Sequence, residues 1–160
     1  MEFHIEPASE KDVPVLLDFI KGIAEYERLS HAVAATEESL RGTLFGPSPA
    51  AEVIIGYAEQ EPAGYAVFFQ HYSTFLGGPG IYLEDLFVWP EWRRAGLGRQ
   101  IMGYLSRLAA QRGCSYIQWL VLDWNENALE FYRKLGAAPE QGWLPYRISG
   151  EALKRLGAEG

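Results

Sequence analysis

The chain is 160 residues long, 48% apolar and 14% aromatic, and its 14 basic and 21 acidic side chains sum to −7. That is the length of one domain, 1–160, with enough apolar surface for a core, which excludes a disordered chain. The acidic balance argues against a nucleic-acid partner and suits a cationic substrate. A single cysteine, Cys114, excludes an internal disulfide framework and a cysteine-rich zinc site. The N-terminal Met-Glu-Phe-His-Ile-Glu lacks the basic and apolar regions of a signal peptide, and no apolar run is long enough to span a membrane. The expectation is a soluble cytoplasmic protein with no membrane, nucleic-acid or metal partner.

In chain order, Phe3 and Ile5 alternate with polar neighbours and predict a short strand. Ser9-Glu10-Lys11-Asp12 resembles a capping box, and Val13, Leu16, Leu17, Ile20, Ile23 and Ala24 carry a helical period to about Leu29. Thr36 caps a second predicted helix ending near Gly46, with Glu37 and Glu38 suited to its first turn. Glu52 to Ala58 and Ala63 to Tyr72 read as an antiparallel hairpin turning at Gln60-Glu61-Pro62. Ile81 to Val88 follows as a strand, ended by Trp89-Pro90. Gly98 to Arg112 is helical and stops at Gly113; Tyr116 to Leu122 is a strand; Ala128 to Leu135 is a helix closed by Gly136. Trp143 to Ile148 predicts a last strand, and a short helix follows. A helix joining Ile81–Val88 to Tyr116–Leu122 makes that pair parallel, so the expected fold is α/β (α+β) with a mixed central sheet.

The segment Arg93-Arg94-Ala95-Gly96-Leu97-Gly98-Arg99 stands between a strand and a helix. There, backbone N–H groups, the helix dipole and arginines favour a phosphate, and glycines allow close approach. It lacks the lysine of a Walker loop, and Ile101 stands where a dinucleotide fingerprint has its third small residue. Read locally, it is either an anion cradle or an ordinary glycine-containing turn.

The segment Arg93-x-x-Gly96-x-Gly98, in this element order, resembles the acyl-CoA motif of the Gcn5-related N-acetyltransferase (GNAT) superfamily. Tyr26-Glu27, Tyr82-Leu83-Glu84-Asp85, Asp123-Trp124-Asn125-Glu126 and Phe131-Tyr132-Arg133-Lys134-Leu135-Gly136-Ala137 resemble its diamine (spermidine/spermine) and thialysine acetyltransferase branch. The similarity runs from the first strand to about Arg147 and is strongest between Tyr82 and Ala137.

The resemblance implies two splayed parallel strands with the pantetheine arm of acetyl-CoA between them. The backbone of Leu86, Phe87 and Val88 would pair with that arm. Backbone groups of Arg94, Ala95, Gly96, Leu97, Gly98 and Arg99 would hold the pyrophosphate, Arg93 would also bind the cofactor, and Asn125, Ala128 and Tyr132 would line the other side of the arm. A primary amine, with a pKa of about 10.4, is mostly protonated at neutral pH and needs a base before it attacks a thioester, while the leaving sulfur gains from an acid. By resemblance Tyr132 is the acid and Glu84 the base or the ammonium anchor, with Tyr26, Glu27 and Asp85 as substrate-binding residues. Each has a plainer reading. Tyr132 beside Phe131 is an aromatic at a packed helix face, Glu84 a solvated acid on an edge strand, and Glu27 an exposed helix residue. Asp85 points away from Glu84 unless a bulge intervenes. Trp119 reads as a packing residue, and His4, His31 and His71 show no ligand spacing.

The implied activity is direct transfer from acetyl-CoA to a small cationic amine (a polyamine, diamine or thialysine-like amino acid) in a ternary complex, by a homodimer. Two other readings share the fold: a non-catalytic acyl-CoA sensor, and a protein N-acetyltransferase. The loop 73–80 lacks the tryptophan and lysine that polyamine enzymes carry there, so the resemblance implies the amine class rather than spermidine itself.

Overall fold

The computed structural model describes residues 2–160. It forms two compact units, Met1–Trp124 and Asn125–Gly160. The first contains β1 (Phe3–Pro7), α1 (Val13–Tyr26), α2 (Glu37–Leu44), β2 (Glu52–Ala58), β3 (Glu61–Ser73), β4 (Gly78–Val88), α3 (Leu97–Gln111) and β5 (Ile117–Gln118). The strands make one sheet in the order β1-β2-β3-β4-β5, antiparallel except for the parallel β4–β5 pair. The mixed sheet expected from the element order is therefore present.

Cross-strand partners share a face of a sheet. On one face Val53, Ile55, Tyr65 and Phe87 meet Val13, Leu16 and Phe19 of α1 and Leu40 of α2 in one buried cluster. The α1 stripe fits this role because Val13, Leu16 and Phe19 recur at helical spacing. α3 buries Leu97, Ile101, Met102, Leu105 and Ala109. Gly56 lies on the face opposite that cluster, where a Cβ would meet a Leu97 methyl at 2.7 Å, so small residues let the helix approach the sheet.

Several predicted boundaries shift. α1 stops at Tyr26 rather than Leu29 because Arg28 takes a left-handed conformation (φ 62°). Leu29 N–H then bonds Ala24 C=O at 2.7 Å, and Arg28 N–H bonds Glu25 C=O at 3.1 Å, a Schellman ending without glycine. The hairpin turns at Glu59-Gln60, not Gln60–Pro62, with Glu59 at φ 58°. α2 ends at Leu44 rather than near Gly46, and β3 and β4 extend beyond their predicted limits.

The predicted strand Tyr116–Leu122 shrinks to two residues. Its ladder with β4 consists of Ile81↔Ile117 and Tyr82↔Gln118. Beyond Tyr82 the two strands no longer pair, and the β5 side of β4 from Leu83 to Val88 has no parallel ladder, which is the expected splay.

The second unit holds α4 (Glu126–Lys134) and α5 (Gly150–Ala158). Trp143 to Ile148 is not a strand. It is irregular chain between Gly142 (φ 85°) and Gly150 (φ 60°), with Trp143, Leu144, Tyr146 and Ile148 exposed. Its β-forming composition expresses itself only against a strand edge, and no described strand pairs with it.

Candidate functional site

β4 carries the geometry that matters most. Its register against β3 slips between Val67↔Asp85 and Phe68↔Leu83, so Glu84 is an extra residue, a β-bulge. Val67 packs on the α1 face, and Asp85, its partner, faces the same way. Without the bulge, strict alternation would turn Asp85 to the other face from Tyr82. The condition attached to Asp85 in the sequence is thus met.

Asp85 is half-buried and accepts a hydrogen bond from the Tyr65 hydroxyl. Tyr65 is 0% exposed, its ring stacked on Phe19 at 4.8 Å and 7°. Glu27, at the C-cap of α1, lies within electrostatic reach of both Asp85 and Glu84. Burial first, then the Asp85 and Glu84 charges, raise the Glu27 carboxyl above the ordinary glutamate range. Burial also raises Asp85, and the Tyr65 hydrogen bond pulls it partly back. Tyr65 is pushed well above its ordinary value by burial and by the Asp85 charge, so it remains a donor at neutral pH. Glu84 is exposed, and its charge, after burial, raises the half-buried Tyr82 phenol. Three carboxylates thus gather at one end of α1 and one bulge of β4. Such a group attracts a cation and disfavours its own full ionisation.

The loop after β4 is built from backbone. Arg94 (φ 62°) and Gly96 (φ 97°) are both left-handed, and α3 begins at Leu97 with Gly96 as N-cap. Two left-handed residues just before a helix fold the chain tightly at the helix N-terminus, whose free N–H groups favour an anion. A Cβ on Gly96 would meet nothing within 4 Å, so its constraint is φ and not space. Arg94, Ala95 and Arg99 are exposed, Gly98 is half-buried and Leu97 is buried in the core. Arg93 is braced: its Nε donates to Val88 C=O at 2.8 Å, and its guanidinium lies over Tyr26 at 4.8 Å and Phe87 at 5.3 Å. Leu86 and Val88 are half-buried and Phe87 is buried. The open edge of β4 and this loop fit an extended amide-containing arm that ends in phosphates.

In the second unit, Asn125 is buried and caps α4, its Oδ1 accepting from Ala128 N–H at 3.3 Å. Tyr132 is half-buried beside Phe131, with ring centroids 5.2 Å apart. α4 ends in a second Schellman motif, Gly136 at φ 90°, with Ala137 N–H on the Tyr132 carbonyl at 3.1 Å. Tyr132 therefore stands in the last turn of a capped helix at both ends.

The structure brings Glu27, Glu84 and Asp85 together, with Tyr26 reached through Arg93. Tyr65 joins them unannounced: its neighbours Ala63, Gly64 and Ala66 read as plain buried strand, and only the β3–β4 register shows Asp85 as its diagonal neighbour on the α1 face. Trp119 is half-buried, as a packing residue would be. Among the described residues no group of three or more His, Cys, Asp or Glu side chains converges as a metal site, and no helix is long and apolar enough to cross a membrane.

Comparison with known proteins agrees with this geometry. Residues 18–137 match the model of the acetyltransferase (GNAT) family. The thialysine N-epsilon-acetyltransferase of Bos taurus is 39% identical over 95% of this chain and 95% of its own length. The L-ornithine N5-acetyltransferase of Arabidopsis thaliana is 28% identical over 95% of this chain and 86% of its own. Among solved structures, an integron cassette protein of V. cholerae superposes with a TM-score of 0.81 at 24% identity, covering 98% of each chain, and so shares the fold. With the family model spanning most of the chain and a full-length relative this similar, the chain belongs to the GNAT family and is an N-acetyltransferase, an enzyme that moves an acetyl group from acetyl-CoA to an amine.

Proposed function

We propose that the amine is small and carries more than one positive charge: a diamine, a polyamine or a thialysine- or ornithine-like amino acid. The observation that carries this reading is the cluster of Glu27, at the end of α1, with Glu84 and Asp85 at the bulge of β4. A single ammonium needs one carboxylate, and a peptide N-terminus offers no reason for three. The names of the thialysine and ornithine relatives support the same class.

Acetyl-CoA, when bound, supplies an activated thioester. The β4 backbone at Leu86, Phe87 and Val88 receives its pantetheine arm, and Arg94, Ala95, Gly96, Leu97, Gly98 and Arg99 hold its pyrophosphate, with Arg93 bracing the loop. Asn125 and Ala128 contribute from the start of α4. Glu27 and Asp85 draw the ammonium in, with Tyr26 beside them. Glu84 takes the proton that frees the nitrogen lone pair, and Tyr132 gives a proton to the departing sulfur. Transfer is direct, in a ternary complex without a metal.

The whole chain, 1–160, works as one catalytic domain, in the cytoplasm and as a homodimer without nucleic-acid or membrane partners. The lone cysteine, which is unpaired, suits a reducing compartment. The exposed Trp143, Leu144, Tyr146 and Ile148 supply apolar surface for a second copy. Light scattering settles that point, a monomer at all concentrations overturning it.

The test of the function is CoA release across an amine panel: thialysine, ornithine, lysine, spermidine, short diamines, an aminoglycoside and a peptide. Turnover confined to the small di-cations is expected, and turnover of the peptide alone overturns the proposal. Tyr132→Phe should then retain acetyl-CoA binding and lose about a hundredfold or more in kcat. A wild-type rate would remove Tyr132 from the acid role.

A further inference from the structure

We infer that Tyr65 is a positioning residue for the amine: through its hydroxyl it holds Asp85 as the charged anchor for the substrate cation. This rests on the small-amine reading above. Nothing in the sequence motifs points to Tyr65, and its side chain lies wholly beneath the surface.

The ring has a sufficient packing role without its oxygen. It stacks on Phe19 and belongs to the apolar cluster with Val13, Leu16, Val53, Ile55 and Phe87. A phenylalanine would make the same stack. Burying a hydroxyl is unfavourable unless it is hydrogen-bonded, so the oxygen is accommodated only because Asp85 accepts from it. Asp85 faces this way by alternation with Phe87 in the unbroken register Tyr65↔Phe87, Val67↔Asp85, and the extra residue at Glu84 turns Tyr82 to the same face. The buried hydroxyl and Asp85 are therefore two parts of one arrangement, immediately beside the bulge.

The groups around Asp85 explain why a donor is needed. Tyr65 comes from β3, Glu27 from the end of α1, and Glu84 is its neighbour on β4, with Tyr82 beyond it. Arg93 is engaged with Val88 and the rings of Tyr26 and Phe87. Burial raises the tendency of Asp85 to hold a proton, and without the donor nothing would oppose it. A protonated Asp85 would present no charge to an ammonium. Tyr65 opposes that, and being resistant to ionisation it does so across the neutral range.

The experiment is the pH dependence of kcat/KM for the amine in wild type, Tyr65→Phe and Asp85→Asn, with acetyl-CoA saturating. For Tyr65→Phe the acid limb should move up by about one pH unit, the amine KM should rise on that limb, and the acetyl-CoA KM should stay put. Asp85→Asn should raise the amine KM severalfold at neutral pH with the acetyl-CoA KM unchanged, and the limb that remains, set by Glu84 and Glu27, should no longer move when Tyr65→Phe is added. An unshifted profile in Tyr65→Phe, or equal losses toward both substrates, would reduce Tyr65 to packing and overturn the inference. So would an amine KM left unchanged in Asp85→Asn, which also decides the matter if Tyr65→Phe does not fold. Carboxyl carbon NMR of aspartate-labelled protein, assigned with Asp85→Asn, follows Asp85 without turnover. Its midpoint should rise in Tyr65→Phe, and an unchanged midpoint overturns the inference. Wild-type silence on every amine would instead sink the substrate reading, while the NMR titration still reports on Tyr65 and Asp85.

Discussion

The two ends of the bulged region of β4 solve opposite problems. The Glu84–Asp85 end gathers negative side chains, and its placement depends on register: the β3–β4 pairing sets Asp85 beside Tyr65 and in reach of Glu27, with Glu84 the extra residue next to it. The loop after Val88 gathers backbone N–H groups, and its placement depends on φ at Arg94 and Gly96. The first end suits a cation and the second an anion. The acid end is electrostatically uncomfortable, since burial and then the neighbouring carboxylates raise the protonation tendency of Glu27. The loop stores its discomfort in backbone dihedrals instead. Substitutions at the two ends should therefore separate cleanly by which substrate they affect.

The largest effect is expected at the acid end. Glu84→Gln keeps the shape of the bulge and removes the base, so kcat should fall about a hundredfold or more while the acetyl-CoA KM stays within about twofold. Loss confined to the acetyl-CoA KM would reverse the assignment of the two ends. The loop comes next. Gly96→Ala puts a Cβ on a residue at φ 97°, which costs about 1–2 kcal/mol. Calorimetry should show a melting temperature lowered by a few degrees and an acetyl-CoA KM raised severalfold, with the amine KM unaffected.

Much of this was legible in the sequence. The helical stripe of α1, the β2–β3 hairpin and the glycine loop follow from periodicity and turn residues, and the family motif named Glu84 and Tyr132. What was hidden has a common cause. Register depends on two strands at once, so no single run reveals that Glu84 is the extra residue or that Tyr65 meets Asp85. Gly113 (φ 70°) and Gly136 announce the ends of α3 and α4, but Arg28 does the same for α1 with a side chain that ordinarily avoids the left-handed region. Trp143 to Ile148 shows the converse, since its β-forming residues mark a strand only when an edge is there to receive it.

A smaller prediction sharpens the electrostatic half of the comparison. Glu27 has its pKa raised in the folded protein, so the fold binds that proton more tightly than the unfolded chain does. Its favourable contribution is present below the ordinary glutamate pKa and is lost as pH rises through the higher folded value. At neutral pH the ionised Glu27 therefore destabilises. Glu27→Gln should raise the melting temperature at pH 7 by about 1–2 °C, the half-exposed position moderating the effect, and the gain should fade toward acid pH. The same variant should weaken the amine KM. A variant less stable at pH 7 would show that Glu27 is held by a favourable contact and not by repulsion.

The smallest effect concerns what holds the acid end in place. Arg28 follows Glu27 in the left-handed conformation, and its guanidinium lies 4.1 Å from the centroid of the Trp124 ring. The dihedral costs about 1 kcal/mol for a residue with a Cβ. The cation–π contact at this exposed position returns about 0.5–1 kcal/mol. Arg28→Gly relieves the first and loses the second, and the added freedom of the unfolded chain opposes the relief. Its stability should stay within about 0.5 kcal/mol of wild type. Arg28→Ala keeps the strained dihedral without the contact, and should be less stable than either by about 0.5–1 kcal/mol in a urea titration. That ordering would show that a side chain, not a glycine, fixes the turn beside Glu27, whereas the anion-binding loop relies on Gly96. If alanine and arginine proved equally stable, the ring contact would contribute nothing, and the hydrogen bonds of the Schellman ending alone would fix the turn.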